Sequence, residues 1–242
     1  MTTIDARPST ATHPLDMVTE QEIRAVKRIL TDAGLLSETV RYAFCAPEEP
    51  DKTDVLAHRS GEPVDRRFRV LLLDLATGDS KDAVVSTSRS AVDSVVELET
   101  ATGGQLPIID AEFDLIEQIL VADPRWCAAL ARRDLDPATV RAVPLSAGAY
   151  GDPDEVGRRV VRAFGFYQAH EKDHPWAHPV DGLVAYVDLT RRQVTKVIDH
   201  RMLPVPAEPG NFDDPEQTGP QRDTLKPIEI SQPQGPSFTL DG

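Results

Sequence analysis

The pattern in this sequence that most resembles a catalytic motif is His-Glu-x-x-His, formed by His170, Glu171 and His174. In a zinc peptidase this spacing places two imidazoles on one face of a helix, and the glutamate polarises the metal-bound water. Here the pattern follows a strand-like segment, and Pro175 comes directly after it. A third ligand could come only from His178, beyond that proline. We therefore expect a solvated polar connection; adventitious metal binding and a zinc peptidase are the alternatives.

Other catalytic signatures are missing from the sequence. There is no Gly-rich phosphate loop, no nucleophile elbow and no pair of cysteines with metal-ligand spacing. Acidic pairs such as Glu48-Glu49 and Asp213-Asp214 are typical of solvated loops rather than of acid/base couples. The residues alone thus predict no catalytic group and no metal ligand.

Composition narrows the class of protein. The chain has 242 residues, of which 40% are hydrophobic and 27% are charged, enough for two domains of about 100 residues each. A net charge of -14 argues against nucleic acid as a partner, because phosphate binding needs clustered Lys and Arg. No apolar run approaches the roughly 20 residues that span a bilayer, and the N-terminus lacks a signal pattern. We expect a cytoplasmic protein without a membrane segment.

The first half of the chain reads as one helix followed by strands. Residues 1–13 are polar and predict a mobile tail. A capping box of Thr19 and Glu22 and a stop at Gly34 predict a helix from Thr19 to Ala33. Its apolar stripe is Ile23, Val26, Ile29 and Leu30. The β-rich runs that follow are Val40–Cys45, Asp54–His58, Arg67–Leu75 and Ala83–Leu98.

The same order of elements starts again after the paired glycines near residue 103. One helix is predicted over Asp110–Val121, and a second begins at Asp123-Pro124 and runs through Arg133. The apolar face of the first comprises Phe113, Ile116, Ile119 and Leu120. The predicted strands are Val140–Leu145, Arg158–Gln168, Leu183–Asp188 and Val194–Asp199. The last two form a hairpin, in which Leu183, Ala185 and Val187 share one face and Val194, Lys196 and Ile198 share another.

Two copies of a helix laid across a four-stranded antiparallel meander predict an α+β fold of two cystatin-like domains. The predicted domains are residues 14–102 and 103–204. Residues 205–242 are rich in Pro and Gly without a period, and they predict an extended linker that needs another surface. Because helix-on-sheet folds of this size often bind ligands without catalysis, a stand-alone binding or assembly module is the alternative function.

Several long strings carry a resemblance to a known family. WAHPVDGLVAYVD begins at Trp176, PVPAE begins at Pro204, and KPIEISQPQGPSFT begins at Lys226. They resemble the bacterial copper and topaquinone primary-amine oxidases, especially the phenylethylamine and tyramine oxidase type, and the similarity runs from about His13 to the last residue. The resemblance implies the two small N-terminal domains of such an enzyme and its linker. The large catalytic domain is expected to begin near the last residues.

The resemblance also implies a reaction and its cofactors. The parent enzyme, a homodimer, oxidises a primary amine to an aldehyde and releases ammonia and hydrogen peroxide, with copper and topaquinone held by its catalytic domain. The family needs an Asn-Tyr-Asp/Glu setting for the quinone, a His-x-His pair with a third histidine for copper, and an aspartate base. This sequence has no Asn-Tyr and no His-x-His, and its one asparagine is Asn211. We expect these 242 residues alone to be inactive and to bind neither cofactor.

A substrate-channel role is implied for four residues. In the family, the second small domain contributes part of the wall through which the amine reaches the quinone, and the matching positions are Phe113, Pro144, Leu145 and Trp176. Aromatic and aliphatic side chains accept an arylalkyl amine through apolar contact. From the pattern alone, Phe113 also suits a helix core and Leu145 a strand core. Trp176 lies in a connection between prolines, where complete burial is harder.

Overall fold

The computed structural model describes residues 11–146, 148, 150–220 and 222–236. It contains two four-stranded antiparallel sheets, the first packed against one helix and the second against two, which confirms the predicted α+β fold. The predicted mobile tail, residues 1–13, lies outside this range except at its end. There, Asp16 Oδ2 accepts hydrogen bonds from the backbone N–H groups of Thr12 and His13, at 2.7 and 2.9 Å.

The first domain packs one helix on its sheet. Its elements are α1 (Glu20–Asp32), β1 (Val40–Pro47), α2 (Lys52–Ala57), β2 (Arg67–Asp74), β3 (Ser80–Ser86) and β4 (Ala91–Leu98), with strand order β1-β2-β3-β4. The core consists of Val26, Ile29 and Leu30 from α1 and of Phe68, Val70, Leu72, Ala83 and Val85 from the sheet.

Helix α1 begins as its capping box predicts. Thr19 Oγ1 accepts a hydrogen bond from Glu22 N at 3.3 Å, and Glu22 Oε2 accepts one from Thr19 N at 2.9 Å. The predicted apolar stripe is wrong at Ile23, which is 43% exposed, because Glu22 occupies the buried side of the first turn.

The predicted strand Asp54–His58 is wrong, because this segment belongs to helix α2. The N–H groups of Asp54 and Val55 both donate to Asp51 O, at 2.9 and 3.1 Å, which starts a helical turn. The apolar run of residues 55–57 is too short to show a helical or a strand period. No residue of α2 is buried, so tertiary packing does not determine its type either.

The single predicted run Ala83–Leu98 is two strands, β3 and β4, joined by a turn at residues 87–90. Ser90 adopts a left-handed conformation, with φ of 54°, and Arg89 N donates to Ser86 Oγ at 3.1 Å. The turn contains no glycine, proline or asparagine, so the strongest sequence signals of a hairpin are absent.

The second domain has two helices on its sheet. A short helix, α3 (Thr100–Gly103), precedes this domain. The elements of the domain are α4 (Asp110–Ala122), α5 (Pro124–Ala131), β5 (Val140–Ser146), β6 (Val160–Tyr167), β7 (Pro179–Asp188) and β8 (Gln193–Asp199), and the strand order is β5-β6-β7-β8. The core joins Ile116, Ile119 and Leu120 of α4 and Trp126, Ala129 and Leu130 of α5 to inward side chains of the sheet. Phe113, predicted on the same face of α4, is 38% exposed.

The β7–β8 hairpin contains a bulge that the predicted alternation missed. Val187 pairs with Val194, whereas Tyr186 pairs with Lys196, so the register shifts by one residue between them. An extra residue in one strand moves all later side chains to the opposite face. Val194 and Val197 therefore pack on the core, while Lys196 is exposed. The predicted shared face of Val194, Lys196 and Ile198 is wrong for this reason.

Residues 205–210, here called the strap, lie against the second domain. Val205 packs on its core, and Gly210 is buried. Of the later residues that the structure describes, Pro215–Thr218 form the short helix α6, and 222–236 are exposed and contain neither helix nor strand. Within the described part of the chain, no helix is both long and apolar enough to cross a membrane.

Candidate functional site

The second sheet has an outer face, opposite α4 and α5, that carries apolar and aromatic side chains. The antiparallel register places the paired residues of β5, β6 and β7 on a common face. The outer face includes Val143, Leu145, Phe164, Phe166, Val184 and Tyr186. None of these six side chains is fully buried, and Leu145 is 54% exposed. Leu145 is therefore not a strand-core residue.

Trp176 lies over this outer face. Its ring stacks on that of Phe166, with centroids 5.9 Å apart and planes 20° from parallel. The side chain is nevertheless 65% exposed, so the indole is supported from below and open above. The structure thus brings Trp176 and Leu145, two of the four predicted channel residues, to one face of one sheet.

The other two predicted channel residues, Phe113 and Pro144, do not belong to this outer face, because Phe113 lies on helix α4 and Pro144 is on the inward face of strand β5. Pro144 is buried and shares the inward face of β5 with Ala142. Glu117, one helical turn after Phe113, accepts a hydrogen bond from Ala142 N at 2.9 Å, so α4 runs beside the unpaired edge of β5. Phe113 is only partly covered there, which agrees with a surface role better than with a helix core. That the four residues form one channel wall stays a prediction.

The turn that carries Trp176 is a short 3₁₀ helix, Pro175–Ala177. His174 Nδ1 accepts a hydrogen bond from Trp176 N at 3.3 Å, and His174 O accepts one from Ala177 N at 3.0 Å. His174 is thus the N-cap of this turn, and its Nδ1 already has a partner.

The His-Glu-x-x-His segment does not have the geometry of a zinc peptidase. Residues 170–174 form bends and turns rather than a helix, so His170 and His174 do not share a helical face. Both side chains are exposed. Across the described ranges, no group of three or more His, Cys, Asp and Glu side chains is placed to hold a metal ion. Both ring nitrogens of His178 are hydrogen-bonded, so this histidine has no nitrogen free to bind copper.

The buried polar residues of this region are Asp173 and His178, which form an ion pair. His178 Nε2 lies 2.9 Å from Asp173 Oδ1, and His178 Nδ1 lies 2.6 Å from Pro206 O in the strap. Their side chains are only 4% and 5% exposed, respectively. The pair joins the Trp176 turn, the start of β7 and the strap.

The two groups hold each other in the charged state. Burial raises the pKa of the Asp173 carboxyl, but hydrogen bonds from His178 and from the N–H groups of Gly210 and Ala169 outweigh it, and the net pKa is lowered. Burial lowers the pKa of His178, but its bonds to Asp173 and Pro206 outweigh this and raise it above the usual 6.5.

Gly210 fixes the strap in place. Its N–H donates to Asp173 Oδ1 at 2.9 Å, and its carbonyl accepts from His174 N at 3.1 Å. A Cβ at this position would lie 2.8 Å from Ala177 Cβ and 3.0 Å from His174 O. Only a glycine allows this close approach between the strap and the Trp176 turn.

Sequence reasoning missed the Asp173–His178 pair. The His-Glu-x-x-His pattern drew attention to its two histidines, which are exposed. The buried residue of the pattern is instead Asp173, which pairs with the ring of His178. A periodicity argument cannot find such a pair, because Asp173 and His178 lie in a connection without a regular period. The prolines around Trp176 were the only signal that this connection is rigid.

Each of the two domains matches a known protein family. Residues 19–95 match the AGAO-like N2 domain, and residues 111–214 match the copper amine oxidase N3 domain. The two models follow each other in the order of the two sheets, and the N3 match extends through the strap.

Individual relatives agree with these matches. A histamine oxidase of Arthrobacter globiformis is 46% identical over 96% of this chain and 34% of its own length. A primary amine oxidase of Arthrobacter sp. (strain P1) is 36% identical over 95% of the chain and 35% of its own. The chain thus spans about a third of the length of these relatives.

A solved structure supports the fold. The copper-containing benzylamine oxidase of Hansenula polymorpha superposes with a TM-score of 0.64 at 20% identity, over 95% of this chain and 38% of that one. The repeated helix-on-sheet plan agrees with both domain matches. Residues 19–95 and 111–214 are therefore the non-catalytic N2 and N3 domains of the copper amine oxidase family, to which this chain belongs.

Proposed function

We propose that this chain is the N-terminal, non-catalytic part of a copper-dependent primary-amine oxidase that acts on aromatic amines. The observation that carries the proposal is the 46% identity with a histamine oxidase over nearly the whole chain. The parent reaction consumes a primary amine, dioxygen and water and yields an aldehyde, ammonia and hydrogen peroxide. Copper and topaquinone, held by a catalytic domain, supply the oxidation when they are present.

The proposed task of these domains is to guide the amine. Phe113, Leu145 and Trp176 line the channel wall and contact the aryl group through apolar side chains, whereas Pro144, buried on the inward face of β5, supports the wall from behind. The exposure of Trp176 and Leu145 on one sheet face supports this role, because both side chains are available to a passing molecule. None of the four can exchange a proton at neutral pH, so they guide the substrate without taking part in the chemistry.

The proposal includes a catalytic domain as the direct partner of the outer sheet face, a homodimeric parent and a cytoplasmic location. The exposure of Leu145 and Trp176, two large apolar side chains on this face, supports such a partner.

The test compares two proteins. The 242-residue chain alone should produce no peroxide from 2-phenylethylamine or tyramine, with or without added copper. The gene product that contains the chain should produce peroxide and develop a quinone colour after copper is added. Turnover by the 242 residues would contradict the division of labour. A longer product that neither binds copper nor oxidises amines would instead favour a binding or assembly module.

A further inference from the structure

The ion pair of Asp173 and His178 does more than fill a buried site, because it joins three segments of chain. We propose that His178, as a buried imidazolium held between Asp173 and the strap, is a latch that positions the Trp176 turn and opens when the ring loses its proton.

The first step concerns the proton. The partner of Nε2 is a carboxylate oxygen, and the partner of Nδ1 is the Pro206 carbonyl. Both oxygens only accept hydrogen bonds, so both ring nitrogens must donate, and only the imidazolium has two N–H groups. A neutral His178 ring can donate only one of these two hydrogen bonds. The other buried oxygen then faces the lone pair of the unprotonated ring nitrogen. Loss of the proton therefore weakens either the aspartate contact or the strap contact.

The second step connects the ring to the strap. Asp173 Oδ1 accepts hydrogen bonds from both His178 Nε2 and Gly210 N, each 2.9 Å long. His178 thus holds the strap twice, directly through Pro206 and indirectly through the aspartate that binds Gly210. The ring also restrains the Asp173 carboxylate that accepts the Gly210 N–H, so loss of the Nε2 contact leaves that carboxylate less well positioned to hold the strap.

The third step connects the strap to Trp176. His174 N donates to Gly210 O at 3.1 Å, and the position of a Gly210 Cβ would lie against Ala177. His174 and Ala177 flank the tryptophan on either side. The strap therefore packs along the turn and, together with the Phe166 ring beneath the indole, restricts where Trp176 can move.

The surroundings of His178 contain few other charges. Asp173 faces it from the connection before the turn, and the Tyr167 ring at the end of β6 lies edge-on with centroids 6.1 Å apart. The strap contributes the Pro206 carbonyl, and its carboxylate, Glu208, is exposed. Within the described ranges, Asp173 is the one charged side chain found in contact with the ring. The pair can thus be treated as the titrating unit.

The pH range of the latch follows from the directions of both shifts. The pKa of His178 is raised above 6.5, so its contribution is complete below 6.5 and is lost as the pH rises through the raised value. The pKa of Asp173 is lowered below 3.8, so its contribution is complete above 3.8 and is lost as the pH falls through the lowered value. The latch is closed between the lowered pKa of Asp173 and the raised pKa of His178. When the pH is raised from 6, it opens as His178 loses its proton.

An effect of the latch on amine entry, through the position of Trp176, rests on the proposed function. The latch itself rests on contacts within this chain. The experiment therefore uses the 242-residue chain and needs no turnover. Nitrogen-15 NMR of the histidine rings should show both ring nitrogens of His178 protonated at pH 6. Raising the pH should deprotonate His178, speed up exchange of the Gly210 amide beyond its intrinsic pH dependence, and change acrylamide quenching of Trp176.

Variants separate the latch from general stability. His178→Gln should raise the exchange rate of the Gly210 amide about tenfold or more at pH 6, because one charged hydrogen bond is lost, and should remove the pH dependence of Trp176 quenching. His170→Gln, in the same connection but exposed, should change neither. Gly210→Ala leaves the ring in place but puts a Cβ 2.8 Å from Ala177 Cβ and 3.0 Å from Asp173 Oδ1, so it displaces the strap and should change Trp176 quenching in the same direction.

Two results overturn the proposal. A single protonated ring nitrogen at pH 6 would show that His178 is neutral and that no imidazolium holds the strap. Gly210 exchange and Trp176 quenching that stay independent of His178 ionisation would show a purely structural pair. If His178→Gln does not fold, the ring spectrum of the unmodified chain and the Gly210→Ala variant still decide between these outcomes. Failure of the channel proposal would leave all of these readouts unchanged.

Discussion

Arg159 forms a buried ion pair with Glu112, and the first domain repeats this pair with Arg66 and Glu22. Arg159 Nη2 lies 2.6 Å from Glu112 Oε2, and Arg66 Nε lies 2.8 Å from Glu22 Oε1. Each glutamate is the third residue of its helix, and each arginine directly precedes the second strand of its sheet. Each arginine also donates to two carbonyl oxygens of the segment that leads into the helix. The two domains thus share one device that fastens the start of the helix to the sheet.

Removal of either arginine should destabilise its own domain. Arg159→Met leaves Glu112 buried without its charge partner, and we expect the free energy of unfolding to fall by about 3–5 kcal/mol, as for other broken buried pairs. The same is expected for Arg66→Met. Chemical denaturation followed by circular dichroism measures the change.

Arg24 offers a matched control for this experiment. It pairs with Glu20 on the surface, with side chains 65% and 71% exposed, so Arg24→Met should cost less than about 1 kcal/mol. The double variant Arg159→Met with Glu112→Met should lose less than Arg159→Met alone, because no buried charge remains. Equal losses for Arg24→Met and Arg159→Met would contradict the assignment of a buried, fastening pair.

The sequence predicted the role of the glutamate at the start of helix α1, but not its pairing with an arginine far away in the chain. Glu22 was expected as a capping residue, because it stands three residues after Thr19, and that spacing is visible in the chain. Its partner Arg66 lies 44 residues away, where nothing in a single sequence marks it. The alternation of buried strands predicted the two sheets for the same local reason, whereas the bulge that separates Val194 from Lys196 was invisible to it. Trp176 was predicted at the site, but its support by Phe166 depends on strand register.

Asp199 should stabilise the second domain through its pair with two arginines. Hydrogen bonds from Arg133 and Arg132 lower its pKa from 3.8 to about 2. The stabilisation is complete above pH 3.8 and is lost as the pH falls through about 2, which corresponds to about 2 kcal/mol near neutral pH. Asp199→Asn should lower the free energy of unfolding by that amount at pH 6, and the difference should shrink as the pH approaches 2.

Denaturation curves at several pH values test the Asp199 prediction. Asp181→Asn removes an exposed carboxylate of β7 and should have little effect at any pH. A loss at Asp199→Asn that is the same at pH 6 and pH 2.5 would show that shape, rather than charge, explains the effect.

Metal removal should leave the chain unchanged. Because residues 170–174 do not form a helix, His170 and His174 cannot bind one zinc ion in the manner of a peptidase, and a bound structural metal would couple to folding. We expect a chelator to leave the melting temperature the same, and Glu171→Gln to behave as the unmodified chain. A decrease of several degrees that zinc alone restores would show that the segment forms a site after all.

The proposed channel role of Trp176 can be tested in the proposed parent amine oxidase. The indole rests on Phe166 and is 65% exposed, so it can contact an aryl amine without being needed for the core. Loss of that contact should cost about 1–2 kcal/mol of apolar binding, roughly tenfold in KM, with little change in kcat. Trp176→Ala should therefore raise KM for bulky aryl amines more than for small alkyl amines and leave quinone formation intact. Tyr42→Ala, a partly exposed aromatic residue of the first domain, should change neither constant. If Trp176→Ala affects all amines equally, or if the variant misfolds, the ring serves packing, and the channel wall must be sought elsewhere.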